Sequence, residues 1–112
     1  MHTIEHEQHC LKMLGNPFTE VHIWLDQYFI AARGVAHRIV LHHGIGIELG
    51  IAVFGERARA ALKLHIQDDF STILPGPIEV AGLLYDRGHD IYLAQPLLDI
   101  LWPGKYNLWD SF

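Results

Sequence analysis

The sequence predicts an all-α protein, and three observations lead to that reading. Apolar residues recur at three- and four-residue steps in several segments, Gly and Pro divide the chain at helix-length intervals, and half of the 112 residues are apolar. A chain of this length supports one hydrophobic core. The expected architecture is a compact bundle of four main helices over residues 1–76. A short, apolar helical and aromatic C-terminal extension, 77–112, is expected to pack on the bundle or on a second subunit.

The first helix is expected over 3–14. Thr3 is a capping residue, Glu5 lies in the first turn, and Gly15-Asn16-Pro17 ends it. His2, His6, His9 and Met13 fall on one face, a ligand-like stripe that is equally a solvent-facing polar one. Thr19 then caps a second helix, expected over 20–32, with Val21, Trp24, Leu25, Tyr28 and Phe29 as its apolar face. His22 and Asp26, four apart, share the other face. That pair is either a carboxylate orienting a metal-binding imidazole or a surface contact worth tenths of a kcal/mol.

A third element starts near Val35. Ile45, Ile47, Leu49, Ile51 and Val53 alternate as in a strand, and Gly44, Gly46 and Gly50 weaken a helix. Leu41, Ile45, Leu49, Ala52 and Val53 also form a helical stripe, and the reading adopted is helix from 35 through Phe54. Gly55 divides it from the clearest helix, 56–70, with Ala58, Ala61, Leu62, His65 and Ile66 along one side. Arg57, Arg59, Lys63, Gln67 and Asp68 are expected to face water. Pro75-Gly76-Pro77 is a stop, followed by helices over 78–85 and 92–102, the latter interrupted at Pro96, and by the aromatic stretch from Trp102 to Trp109.

The formal charge of −5, with no Lys/Arg stripe, argues against nucleic-acid binding. No run of 18 apolar residues is present, and residues 1–5 lack both the basic and the apolar part of a signal peptide, so no membrane association is expected. The lone Cys10 excludes an intramolecular disulfide and fits a reducing, cytoplasmic setting. A buried inert thiol is its expected role.

Histidine is the outlier, with nine residues; protonating all of them would reverse the sign of the formal charge. His37-Arg38-Ile39-Val40-Leu41-His42-His43-Gly44 is the centre of this chemistry, because an apolar segment tends to be buried and its imidazoles then need partners. His65 and Asp69, four apart, can enter the same pocket. The expected metal ligands are His37, His42, His43, His65, Asp69, His9, His22 and Asp26, with His6 a further candidate. They come from several helices because His42 and His43 diverge by about 100° on one helix. Nitrogen and oxygen donors without thiolate suit zinc, manganese, iron or nickel. Arg38 and Asp69 are the expected catalytic pair, Arg38 clamping an anion.

His9, Val21-His22-Ile23-Trp24-Leu25-Asp26, His37-Arg38, Leu41-His42-His43-x-x-Gly46, Phe54-Gly55-Glu56 and His65-Ile66-x-x-Asp69 together resemble an uncharacterised family of small His-rich bacterial and phage proteins. The likeness covers residues 6–76, and its most specific part is the H-R-x-x-x-H-H element. A looser likeness is to HD-type metal phosphohydrolases, which take His, His-Asp and Asp ligands from successive helices. Here the His-Asp dipeptide, His89-Asp90, lies in the extension instead.

Three functions follow as expectations. One is a metal-dependent hydrolase acting on a phosphorylated or otherwise anionic small substrate. The others are a non-catalytic metal-binding or structural oligomer and a pH-responsive interaction protein, a phage-type accessory factor. The aromatic tail is the expected contact of a homo-oligomer.

Overall fold

The helix-forming periodicities produce helices throughout. The computed structural model describes residues 3–112, and among these there is no strand. Eight α-helical elements are present: α1 Thr3–Leu14, α2 Thr19–Leu25, α3 Arg38–Leu41, α4 Gly44–Phe54, α5 Arg59–Phe70, α6 Pro77–Asp86, α7 Gln95–Leu101 and α8 Leu108–Ser111. Single 3₁₀ turns precede α3 (Val35–His37), α5 (Glu56–Ala58) and α7 (Tyr92–Ala94). His2, the first member of the expected α1 stripe, lies outside the described residues.

Two expected helices differ from what forms. The second ends at Leu25 instead of running to Ala32, and 26–33 is a series of turns that closes with Arg33 and Gly34 at positive φ. Phe29, expected on the apolar face of that helix, is exposed there, as is Ile30. The third does not run from 35 to 54, because the chain leaves the helical region at His42 (φ −83°, ψ 60°) and His43 (φ −160°, ψ 179°).

The break is built by local chemistry. The His43 backbone is extended, and its Nδ1 accepts a hydrogen bond from the Gly46 N–H at 3.0 Å, capping α4. The Gly44 and Ile45 N–H groups donate to the Leu74 and Pro75 carbonyls at 2.8 and 3.1 Å. The first N–H groups of α4, which no helix can satisfy internally, thus all have partners. A Cβ on Gly46 would stand 1.7 Å from the Leu41 carbonyl oxygen, so only glycine fits the turn. The segment 44–54 is helical despite its alternation, since it is packed between neighbours. A Cβ on Gly50 would come within 2.8 Å of both Leu62 δ-methyls and 3.1 Å of Trp24.

In the packed core, α1 lies against α2 and α5, α4 against α2 and α5, and α3 against α6. Ile39, Val40 and Leu41 of α3 and Val80, Ala81 and Leu84 of α6 belong to one buried cluster with Val21, Leu25, Leu62 and Ile66. The segment from Pro77 on is therefore part of the same core. Pro96 does not interrupt a helix; it lies in the first turn of α7, where its missing N–H has no consequence. The tail folds back on its own chain. Leu108 is buried, its N–H donates to Gln95 Oε1 at 2.7 Å, and Trp109 stacks on Tyr92 at 3.9 Å. The radius of gyration, 13.5 Å, is that of a compact domain of this length, about 13 Å.

Candidate metal centre

Among the described residues six histidines, His6, His22, His37, His42, His43 and His65, are buried, and five of them converge between α1, α2, α3 and α5. Each reaches the centre for a local reason. Asp26 is the residue on which α2 ends, which turns its carboxylate inward. His37 and His42 flank the one-turn helix α3, whose apolar residues are anchored against α6. His65 and Asp69 lie one turn apart on α5.

The tightest part is a set of acceptor atoms. Asp26 Oδ1, His42 Nε2 and His65 Nε2 form a triangle with edges of 3.1, 3.2 and 3.3 Å. Asp69 Oδ2 stands 3.4 Å from His42 Nε2 and 3.6 Å from His65 Nε2. His37 Nε2 is 3.1 Å from Asp26 Oδ1. Ligands at zinc bond lengths of about 2.0–2.1 Å in a tetrahedral site would be about 3.3–3.4 Å from one another. The edges of the Asp26, His42 and His65 triangle lie close to that value.

Proton accounting points the same way. His37 Nδ1–H donates to the Gly34 carbonyl at 2.7 Å, and a carbonyl can only accept. Neutral His37 therefore presents a bare Nε2 lone pair to an anionic oxygen. Two acceptors facing each other require a cation between them or an added proton. The carboxylates themselves remain charged. Burial pushes both upward, but the imidazoles of His37, His42 and His65 around Asp26, and those of His42 and His6 with the Arg38 charge beside Asp69, hold both carboxyls far below the usual range. Arg38 Nη2 donates to Asp69 Oδ1 at 3.3 Å, one cation beside two anions. Burial is the main reason that His65 is lowered to about 4 and that His22 is lowered as well; Asp26 opposes the shift of His65, and the Pro17 carbonyl that of His22. The residues present thus fit a divalent ion. They form a donor set of imidazole nitrogens and carboxylate oxygens within ligand distance of one another.

Not every expected ligand enters this set. His43 is the clear correction: its Nε2–H donates to the Ile39 and Val40 carbonyls at 3.0 Å, and Nδ1 accepts from Gly46, so both nitrogens are occupied away from the centre. His9 turns to Asp68, 2.7 Å from Oδ2, and one-third of its side chain faces solvent. Asp68 is largely buried as the support of His9, where the helix pattern had placed it in water. His22 does not pair with Asp26; its Nδ1 lies 2.8 Å from His65 Nδ1. His6 stacks on His65 at 3.6 Å, with its nitrogens 3.6 and 3.5 Å from Asp68 and Asp69 and without a hydrogen bond. His6, His22 and His65 make a second group with ligand atoms within 4.8 Å of one another. Cys10 is fully buried beside this region, and burial, reinforced by Asp68, raises its thiol to about 11, so it is inert.

The centre opens on one side to a cavity of about 420 Å³ lined by Thr3, Asp26, Gln27, Phe29, Ile30, His37, Arg38 and Asp69. Asp26, His37 and Asp69 belong to both the cavity wall and the donor set, so a molecule in the cavity reaches the centre directly. Thr3, Gln27, Phe29 and Ile30 were not legible as site residues, since nothing in the sequence marks the turn after α2 as a cavity wall.

Comparison with family models, with curated proteins and with solved structures finds no match. No helix among the described residues is long and apolar enough to cross a membrane.

Proposed function

We propose that the protein is a metal-dependent hydrolase of small anionic substrates, phosphate esters above all. The observation that carries this reading is the convergence of Asp26 Oδ1, His42 Nε2 and His65 Nε2 at ligand spacing, with Asp69 Oδ2 beside both imidazoles, next to an open cavity. Buried polar atoms without partners cost about 1–3 kcal/mol each, and His42 Nδ1 and Arg38 Nε are such atoms. That expense is more characteristic of a site than of a core.

Asp26, His42 and His65 would hold the ion and leave a position for water, with Asp69 beside the two imidazoles and His37 beside Asp26, and the spacing suits zinc. Such an ion, when bound, supplies a water of lowered pKa and polarises an oxygen of the substrate. The chain's own residues do the rest. Arg38 lies on the cavity wall, its guanidinium over the Phe70 ring at 5.5 Å and 3.3 Å from Asp69, placed to receive an anionic oxygen. Phe29 and Ile30 provide an apolar wall for the remainder of the substrate and displace water from it. The Gly34 carbonyl fixes the tautomer of His37 and keeps its Nε2 available on the cavity side.

The test is metal analysis of untagged protein followed by hydrolysis assays on phosphate mono- and diesters. We expect about one ion per chain, lost in Asp26→Asn, and ester hydrolysis that depends on it. Arg38→Met should keep the ion and raise KM by about 10–100-fold, the loss of a charged hydrogen bond. Metal far below one ion per chain refutes the site. A full complement of metal with no hydrolysis of any ester assigns the centre to a scaffold instead.

A further inference from the structure

The second group of imidazoles, His6, His22 and His65, invites a second ion, and the distances argue against one. His22 Nδ1 and His65 Nδ1 are 2.8 Å apart, with ring centroids at 5.0 Å and planes within 24°. Two nitrogens on one tetrahedral ion would be about 3.3–3.4 Å apart, whereas 2.8 Å is the span of an N–H···N hydrogen bond. His6 cannot complete a site with His65 from where it stands. Its ring lies parallel over His65 at 3.6 Å and 16°, and in-plane lone pairs of stacked rings do not meet at a common point.

We propose that His22 is a positioning residue of a mononuclear centre, accepting the Nδ1–H of His65 and so leaving His65 Nε2 bare for the ion. The proposal rests on the metal-centre reading above. A ring holding a metal through one nitrogen commonly donates its other N–H to an acceptor, and that partner sets tautomer and orientation. For His65 the acceptor is another imidazole. Its Nε2 faces Asp26 Oδ1 at 3.2 Å and His42 Nε2 at 3.1 Å, while Nδ1 faces only the second group. One proton lies between the two Nδ1 atoms. If His65 carries it, the single remaining proton of neutral His22 is on Nε2, a buried atom with no hydrogen-bond partner, and Nδ1 is left as the acceptor. His22 is fully buried, so no water can replace it as acceptor. Its place in α2, one turn before Asp26, lets one helix supply both a ligand and the support for another ligand.

The test uses Co²⁺ titration of the full chain, metal-free at the start, in the wild type, His22→Asn and His22→Leu. Asn keeps an acceptor close to the position of Nδ1, and Leu removes it. Expected are one Co²⁺ per chain in the wild type, an affinity within about threefold of it in His22→Asn, and a loss of about 10–100-fold at unchanged stoichiometry in His22→Leu. Two ions in the wild type, one of them absent in both variants, would make His22 a ligand and overturn the proposal. Equal affinity in all three proteins would overturn it as well. Absence of Co²⁺ binding in the wild type would overturn the metal centre itself and this proposal with it. Should His22→Leu not fold, nitrogen NMR of the zinc-loaded wild type decides: His65 protonated at Nδ1 supports the assignment, and His65 protonated at Nε2 overturns it.

Discussion

Adjacent histidines in this chain have opposite fates. His42 turns its Nε2 to two carboxylates, whereas His43 uses both nitrogens on backbone groups, so one is chemical and the other architectural. His43 also titrates for an architectural reason: burial lowers it to about 4, although the Ile39 and Val40 carbonyls oppose the shift. In the unfolded chain it titrates near 6.5. A base with a depressed folded pKa binds more protons unfolded, so its contribution is complete above pH 6.5 and is lost as pH falls from 6.5 towards 4. A shift of this size corresponds to on the order of 3 kcal/mol. His65 and His22 are shifted in the same direction in the metal-free protein, while the Asp26 and Asp69 carboxylates act below the ordinary carboxylate range. Urea melts of metal-free protein should therefore show stability rising with pH between 4 and 6.5. His43→Asn, which retains an acceptor for the Gly46 N–H but cannot ionise, should lower that slope by about one proton. An unchanged slope would mean that His43 does not titrate as its burial requires. The sequence showed a His cluster and not this division of labour, because the choice between an ion and a carbonyl depends on where the helix breaks.

The break between α3 and α4 is thus the decisive event at the scale of elements. The alternation of Ile45 to Val53 and the helical stripe through Leu41 were both visible in the sequence. The helix was readable for 44–54, since its glycines permit close packing, but its start was not. That start depends on carbonyls of Leu74 and Pro75, thirty residues away, which no local pattern contains. The shortening of α2 escaped for a similar reason: Tyr28 and Phe29 continue the apolar spacing, yet Asp26 stands within 3.1–3.3 Å of imidazoles from α5 and from the two ends of α3, and the chain turns where it meets them. The two glycines of α4 separate these causes experimentally. Gly46→Ala sets a Cβ against backbone, which cannot yield, and should cost about 3 kcal/mol or more. Gly50→Ala sets it against the ends of the Leu62 side chain, which can turn, and should cost about 1–3 kcal/mol. Chemical denaturation of both variants checks the order; a Gly46→Ala protein as stable as Gly50→Ala would remove the steric account of the break.

At the scale of the whole molecule, the site and the core are the same object. Asp26, His42, His65 and Asp69 come together from the end of α2, from the end of α3 and from α5, and α3 is in turn held by α6. The segment after Pro77 thereby supports the centre: Ile39, Val40 and Leu41, between His37 and His42, share the core with Val80, Ala81 and Leu84. The proposed ion would tie together helices that the chain connects only through turns, and it would have no equivalent site in the unfolded state. Binding of that kind stabilises by RT ln(1 + [L]/Kd), about 2.7 kcal/mol at a free ion concentration one hundred times Kd. With an unfolding entropy near 2.1 cal/mol/K per residue, this raises the Tm of a 112-residue domain by roughly 10 °C. Addition of Zn²⁺ to metal-free protein should produce that rise, a chelator should reverse it, and Asp26→Asn should show almost none of it. Because α3 and α6 share the core, the transition should remain single with and without the ion. If zinc instead left the Tm of the wild type and of Asp26→Asn equally unmoved, the convergence of imidazoles and carboxylates would be a feature of packing alone.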